Sequence, residues 1–541
     1  MTNQIPIIDI ASLKNNQPLG WKDERQPLEL TNENLALFLR NLNEPVFFLN
    51  NGQGRHISNY GSLSGLESSW NTLAFTYPFT ANRLGDPSFV QTYGLQYALY
   101  AGSMANGISS ESMVISLGNS GFMGSFGAGG LMPARIEKAI SQIQDVLKEK
   151  PFCFNLINSP FEPSLEQRTV ELYLKHGIHV IEASAYLTLT ANLVRYRAAG
   201  LTQNPDGTIG IGNKIIAKVS RKEVASKFLQ PATEDILSHL VSEGKLTAEQ
   251  ARLAALVPMA DDITVEADSG GHTDNRPLVS ILPAIIKLRD SLQSQYNFPQ
   301  QVRIGAAGGI STPASTLAAF MMGAAYVTTG SVNQACIESG ASEHTKNLLA
   351  QMEMTDVAMA PASDMFEMGV KVQVLKRGTM FAMRAQKLYE LYQRYESLDE
   401  IPASEREKLE TNVFKQNLDA IWDECVKFFT ERDPKQIERA TQKPKDKMAL
   451  IFRWYLGLSS RWSNIGEKGR EMDYQIWCGP SMGAFNDWVK GTYLEASQNR
   501  KVVDVSLQLM NGAAYLYRIR VLESQGLRLP PEFSQYVPVQ P

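Results

Sequence analysis

The residues with the clearest chemical potential run from Asp262 to Asp274, where Ile263-Thr264-Val265-Glu266-Ala267 leads into Asp268-Ser269-Gly270-Gly271-His272-Thr273-Asp274. A β-branched, half-apolar run that ends in acidic and small residues reads as a buried strand delivering its last side chains to an opening. His272 stands at that opening. Gly270 and Gly271 carry no Cβ, so the backbone there can pass close to something planar or bulky. Asp268, Thr273 and Asp274 flank the histidine, and neighbouring carboxylates favour the protonated imidazole, which can donate a proton or polarise a carbonyl. A lone histidine is more often a hydrogen-bonded structural residue, but the glycines and acids around this one assign it a catalytic or substrate-orienting role. A second stretch, Val302-Arg303-Ile304-Gly305-Ala306-Ala307-Gly308-Gly309-Ile310, again reads as a strand ending in a glycine pair, and Thr312-Pro313 opens a helix. Backbone amides at a helix start attract anions, which makes Gly308-Gly309 a candidate phosphate cradle. A tight turn with close helix packing is the competing explanation for the pair.

Such side chains need elements that bring them to one place. From about residue 94 to 330 short strands alternate with helical patterns, the strands expected at 98–102, 113–117, 152–157, 178–182, 215–219, 263–266, 302–305 and 325–328. Amphipathic runs at 135–148, 165–176, 278–292 and 314–322 lie between them. Eight strand-helix units predict an α/β fold, a (β/α)8 barrel, whose chemistry lies at the C-terminal ends of the strands and whose seventh and eighth loops commonly hold phosphate. A doubly wound sheet is the alternative, but Gly118-Asn119-Ser120-Gly121-Phe122-Met123-Gly124 and Gly210-Ile211-Gly212 lack its glycine spacing. In the barrel, Gly308-Gly309 follows strand seven, Thr329-Gly330-Ser331 follows strand eight, Asp268 and His272 follow strand six, Lys218 ends strand five, Asn155 lies on strand three and Met104-Ala105 follow strand one. All of these face one mouth. The helical stretch 221–258 is expected above it, as a lid or as a solvated decoration.

The chain of 541 residues is long enough for two or three domains. We expect a small α/β unit over 1–86, with a helix near 30–42 and a strand near 44–52, the barrel over 87–380, and a helical domain over 381–541. A net charge of -4 argues against a general nucleic-acid binder. The start lacks a basic region followed by an apolar run, and no later apolar run reaches membrane-spanning length, so a cytoplasmic location with no membrane contact is expected. Cys153, Cys336, Cys425 and Cys478 are widely spaced and read as buried thiols, with neither a disulfide framework nor a metal site. The oligomeric state stays open, a homo-oligomer included.

Taken together, Gly102-Ser103-Met104-Ala105-Asn106-Gly107-Ile108, Phe154-Asn155-Leu156, Glu266 to His272, Ala307-Gly308-Gly309-Ile310 and Gly330-Ser331 resemble the flavin-dependent nitronate monooxygenase and enoyl reductase superfamily. The later motifs Pro361-Ala362-Ser363-Asp364-Met365-Phe366-Glu367, Lys371 to Gly378 and Trp477-Cys478-Gly479-Pro480 narrow the resemblance to the PfaD family, enoyl reductases of bacterial polyunsaturated fatty acid and polyketide synthases. The resemblance implies FMN as cofactor, with its phosphate at Gly308, Gly309, Gly330 and Ser331. It also implies Asn155 and Lys218 at the isoalloxazine ring, Met104 and Ala105 near its reactive edge, and Asp268 and Gly271 in the cofactor site. Taken singly, Lys218 reads as a surface lysine and Asn155 as a turn residue; their agreement strand by strand assigns them to the mouth.

The implied activity is reduction of a 2-enoyl thioester on an acyl carrier protein, acting in trans, with NADPH or NADH as electron donor. The alternatives are a nitronate monooxygenase and a non-catalytic scaffold subunit. Acyl carriers are acidic, so a basic docking face is expected. Arg432, Lys435, Arg439, Lys443, Lys445, Lys447 and Arg453, set against only Asp433, Glu438 and Asp446, are the candidates. A solvated face is the other explanation for such a run.

Overall fold

The computed structural model describes residues 19–65, 68–158, 160 and 162–540. Eight parallel strands close into a barrel: β1 (Leu99–Ala101), β2 (Met123–Phe126), β3 (Cys153–Ile157), β4 (Val180–Ser184), β5 (Lys214–Val219), β6 (Asp262–Glu266), β7 (Arg303–Ala307) and β8 (Val327–Thr329). Each pairs with the next and β8 with β1. The interior is filled by side chains. Tyr100, Thr264 and Tyr326 are hydrogen-bonded in a row, Tyr100 to Thr264 at 3.0 Å and Thr264 to Tyr326 at 2.9 Å. Gly305 makes room for the last of them, since a Cβ there would lie 2.2 Å from the Tyr326 ring. At the N-terminal end, fully buried Asp262 is gripped by Arg303 through contacts of 2.6 and 2.9 Å, so a charge that burial would otherwise penalise is paired.

The second strand differs from the one expected. Residues 113–117 lie inside the helix Glu111–Asn119, because the Ser110 hydroxyl accepts from the Met113 amide and starts a helix there. The strand itself is the inconspicuous Met123-Gly124-Ser125-Phe126, and Gly124 is small because a Cβ would lie 2.9 Å from the Val114 backbone of that helix.

The stretch 221–258 is helical, as Lys222–Leu229, Glu234–Ser242 and Ala248–Ala254, but it is no lid. Lys222–Leu229 descends along the outside of the barrel, and Ala248–Ala254 packs on the hairpin Leu201–Gln203/Ile209–Ile211. Arg197, at the end of the preceding helix, donates to the Pro258 carbonyl at 3.0 Å and pairs with Asp261, just before β6, at 2.7 Å. These contacts fix the later part of the insertion at the N-terminal end, opposite the mouth, while its first residue, Arg221, stays on the mouth side.

Two compact units emerge, residues 85–508 with 538–541, and residues 1–84 with 509–537. The helices from 381 to 508 form the expected C-terminal helical region, packed within the first of these units. The helix Phe381–Arg394 packs on the strand Val357–Pro361, and Arg432, closing the helix Leu418–Arg432, clamps Glu162 in the loop after β3 at 2.6 and 2.7 Å. The other unit has a six-stranded antiparallel sheet and the helix Asn32–Arg40. Among the described residues no helix is long and apolar enough to cross a membrane.

Candidate active site

At the C-terminal mouth the strands deliver a polar floor. Lys218, the fifth residue of β5, points its Nζ between Glu266 of β6 at 3.3 Å and Glu182 of β4 at 3.7 Å. Burial works against the lysine's charge, yet the two carboxylates outweigh it and hold Lys218 protonated beyond the ordinary lysine range. Glu182 is completely buried and also accepts from the Ser103 amide at 3.0 Å and its hydroxyl at 2.9 Å. Asn155 of β3 donates to the Glu182 carbonyl at 3.1 Å and to the Ser184 hydroxyl at 3.0 Å. Strands β3 to β6 and the loop after β1 thus share one network. Sequence reasoning missed Glu182, its centre; an acid inside a strand as apolar as 178–182 was the available signal.

Met104 and Ala105 are half-buried in the loop after β1, which is pressed against the glycine-rich loop after β2. A Cβ on Gly127 would lie 1.8 Å from the Met104 carbonyl, and one on Gly129 would lie 3.2 Å from Asn155 Oδ1 and 3.4 Å from the Ala105 methyl. Those glycines let the two loops approach at the rim.

Across the mouth, Gly308 and Gly309 both adopt the left-handed backbone, φ 80° and 77°. They do different work. A Cβ on Gly308 would lie 2.8 Å from the backbone of Ala267 and Asp268, so the loops after β6 and β7 touch there, whereas Gly309 and Gly330 face space with no heavy atom within 4 Å. Ser331 Oγ accepts from the Gly479 amide at 3.0 Å, leaving its own proton to donate. Just beyond it, the buried Asn333 Oδ1 and Gln334 Nε2 have no hydrogen-bond partner. Open space beside two glycines, a free hydroxyl proton and the unpartnered Gln334 amide donor fit a phosphate group, as a flavin mononucleotide would bring; the Asn333 oxygen, an acceptor, adds nothing to that fit.

His272 is held by a small antiparallel sheet outside the barrel, in which Gly271–His272 pairs with Lys371–Leu375 and that strand with Val357–Pro361. Gly271, φ 76°, provides the turn into it. Its sequence neighbours face elsewhere. Asp268 accepts from Asn275 at 2.9 Å and from Gln373 at 2.9 Å, and Asp274 is paired with Arg221 at 2.7 Å. The carboxylate that meets His272 is Asp364, ninety-two positions later, whose Oδ2 accepts from Nε2 at 3.0 Å. Burial pulls the imidazole's pKa down, but the Asp364 hydrogen bond and charge, with Glu266, prevail over it and over the opposing Lys218, and the net direction is up. The expected direction stands, with a different partner.

The candidate docking residues divide. Arg432 is taken by Glu162, Arg453 by Ser363 and Glu367, Lys445 by the carbonyls of Tyr392 and Tyr395, and Lys447 stands over the Trp422 ring. Lys435, Arg439 and Lys443 are exposed. Four of the seven charges serve internal structure.

A closed parallel barrel whose polar side chains converge at its C-terminal mouth defines a (β/α)8 barrel enzyme class. Its relatives specify which. A family model for nitronate monooxygenase matches residues 87–400, and one for the inserted helical domain of [acyl-carrier-protein] S-malonyltransferase matches residues 395–474. The crystal structure of the enoyl reductase domain of MlnA, from the macrolactin biosynthesis cluster of Bacillus amyloliquefaciens, is 42% identical with a TM-score of 0.78, covering 82% of this chain and 99% of that one. A polyunsaturated fatty acid synthase subunit from a Thraustochytrium strain is 50% identical over 454 residues, 83% of this chain and 30% of the relative. Polyketide biosynthesis protein PksE of Bacillus subtilis is 46% identical over 443 residues, 82% of this chain and 57% of the relative. The chain therefore spans less than two thirds of the length of each of these two relatives. It belongs to the nitronate monooxygenase family, in the branch that contains the enoyl reductases of polyunsaturated fatty acid and polyketide synthases.

Proposed function

We propose that the protein is an FMN-dependent enoyl reductase that saturates 2-enoyl thioesters carried on acyl carrier protein, in trans, with NAD(P)H as donor. The observation that carries this reading is the convergence on one mouth of an open glycine-lined cradle, a hydrogen-bonded polar floor and a half-open histidine held by a carboxylate. When bound, FMN supplies the hydride relay from NAD(P)H to the β-carbon of the substrate. Gly308, Gly309, Gly330 and Ser331 hold its phosphate through backbone amides and the serine hydroxyl. Asn155 and Lys218 orient the ring. A lone cation there would favour extra electron density, but Glu182 and Glu266 offset most of the Lys218 charge, so the lysine acts chiefly as a fixed donor. Met104 and Ala105 line the approach to the reactive edge. Gly271 turns the chain toward His272, while Asp268 fixes the loop through Asn275 and Gln373. His272 delivers the proton that the α-carbon requires.

Mass spectrometry of the cofactor released from purified protein should give FMN, since a single phosphate cradle leaves no place for an adenylate half. Anaerobic addition of NADPH or NADH should bleach the flavin band, and a crotonyl or longer enoyl thioester should restore it. Recovery of FAD overturns the site assignment. Nitronate oxidation with oxygen and without NAD(P)H consumption would instead establish the activity named by the matching family model.

A further inference from the structure

His272 depends on a segment that lies far from it in sequence and that is itself fastened by a helix. Asp364 follows the strand Val357–Pro361, in a turn whose backbone is gripped from outside. Arg453, in the helix Pro444–Ile465, donates from Nε to the Ser363 carbonyl at 2.9 Å and from one terminal nitrogen to Glu367 at 3.1 Å and to the Gln436 side chain at 3.3 Å. Its side chain is only 13% exposed. The guanidinium thus bridges the residues on both sides of Asp364, in a geometry a single ammonium could not reproduce.

We propose that Asp364 is the positioning residue of His272, and that Arg453, by fixing the turn around Asp364, makes the C-terminal helical region set the orientation of the side chain that meets the acyl substrate. The inference rests on the enoyl-reductase reading for its chemistry, but not for its geometry. A carboxylate only accepts, so Nε2 carries the hydrogen in the bond to Asp364, and Nδ1 is the nitrogen left for substrate. In the protonated ring the Nδ1 proton would go to the α-carbon, and the two electrons of the reduction would come as a hydride to the β-carbon whose source is NAD(P)H. The neutral imidazole keeps its Nε2 hydrogen on Asp364 and regains the other proton from water. Around this ring the charged groups are Asp364, Glu266 at the end of β6 and Lys218 of β5, with Arg453 beside Asp364. Burial alone would raise the Asp364 carboxyl, and His272 and Arg453 bring it below the usual range instead. The pair is half-open, so a substrate that covers it removes solvent screening and strengthens it.

The test uses Asp364→Asn, Asp364→Glu and Arg453→Gln in the flavin-loaded protein. The His272 imidazole is followed by NMR of histidine-labelled protein, its signal assigned by its loss in His272→Ala, and the two half-reactions are followed by rapid mixing. Asp364→Asn should move the His272 titration midpoint to lower pH and slow reoxidation by an enoyl thioester about tenfold or more, within the ~10²–10⁴-fold that general acids contribute. The nicotinamide step should stay within about twofold, as expected of an interaction used in one half-reaction only. Asp364→Glu should restore most of the rate and the midpoint, and Arg453→Gln should give the Asp364→Asn signature in weaker form. An unchanged midpoint in Asp364→Asn overturns the proposal, as does an equal fall of both half-reactions. Wild-type protein inert toward every enoyl thioester overturns the enoyl-reductase reading instead, and the midpoint shift then decides the pairing by itself.

Discussion

A histidine above a hydride-transfer site can serve either substrate, and the two uses leave different kinetic signatures. Flavin reduction by NAD(P)H needs only hydride transfer, whereas the enoyl half-reaction needs a proton at the α-carbon as well. His272→Ala should therefore keep FMN and most of the nicotinamide step while slowing reoxidation by an enoyl thioester by about 10²-fold or more, less where water replaces the donor. Collapse of the nicotinamide step alone, seen as slow bleaching with normal reoxidation, would move His272 to nicotinamide binding. The pair also predicts a pH window for stability. The raised value of His272 gives stability that is full below the ordinary histidine value and is lost as pH rises through the folded one. The lowered value of Asp364 gives stability present above its ordinary value and lost as pH falls through the folded one. The melting difference between wild type and Asp364→Asn should thus peak between those limits and be small, because the pair is half-open to solvent; a constant difference across pH would refute it. The glycines drew attention to His272, while the acids beside it in sequence pair with other residues. Its partner was not legible, because a contact across ninety-two positions depends on how the small sheet pairs, and the motif at 361–367 gave only the residue type.

Among elements, the long helices were legible because amphipathic periodicity survives packing, as in Pro133–Leu147 and Leu278–Tyr296. The second strand was not. Gly124 reflects the close approach of the helix beside it, while the apolar 113–117 run imitates a strand and is overruled by the Ser110 cap. The insertion at 221–258 is helical as expected but only its start lies near the mouth, since sequence does not show that Lys222–Leu229 carries the chain toward the far end of the barrel. The basic run shows how structure refines a charge argument. Reversal of Lys435, Arg439 and Lys443 should weaken use of carrier-bound substrate severalfold and leave a small thioester unaffected, an effect that fades as salt rises. Lys445→Glu should act differently, lowering thermal stability and both activities together, because its ammonium sits on two backbone carbonyls. Equal loss on both substrates in the triple variant would make that face structural too.

At the scale of the whole molecule, residues 509–537 join the unit that holds the N-terminal sheet, and one residue that reads as ordinary surface charge carries much of that join. Arg518 is fully buried in the unit that contains residues 1–84, where its guanidinium donates to the carbonyls of Phe38, Leu39, Asn41, Leu42 and Glu44 at 2.7–3.4 Å. These carbonyls close the helix Asn32–Arg40 and the turn after it, where a cation also meets the negative end of the helix dipole. Burial draws the arginine down to about 10, still charged at neutral pH. A periodicity argument cannot anticipate this, because the partners are backbone atoms more than 470 positions away. Arg518→Met keeps much of the aliphatic volume and removes every donor, leaving buried carbonyls without partners at about 1–3 kcal/mol each for those that water does not reach. Hydrogen exchange should then accelerate across residues 32–50, with protection of the barrel strands unchanged and FMN content intact. Uniform loss of protection through β1 to β8 would show that the two units unfold as one, and unchanged exchange at 32–50 would show that Arg518 does not hold the segment after the helix Asn32–Arg40.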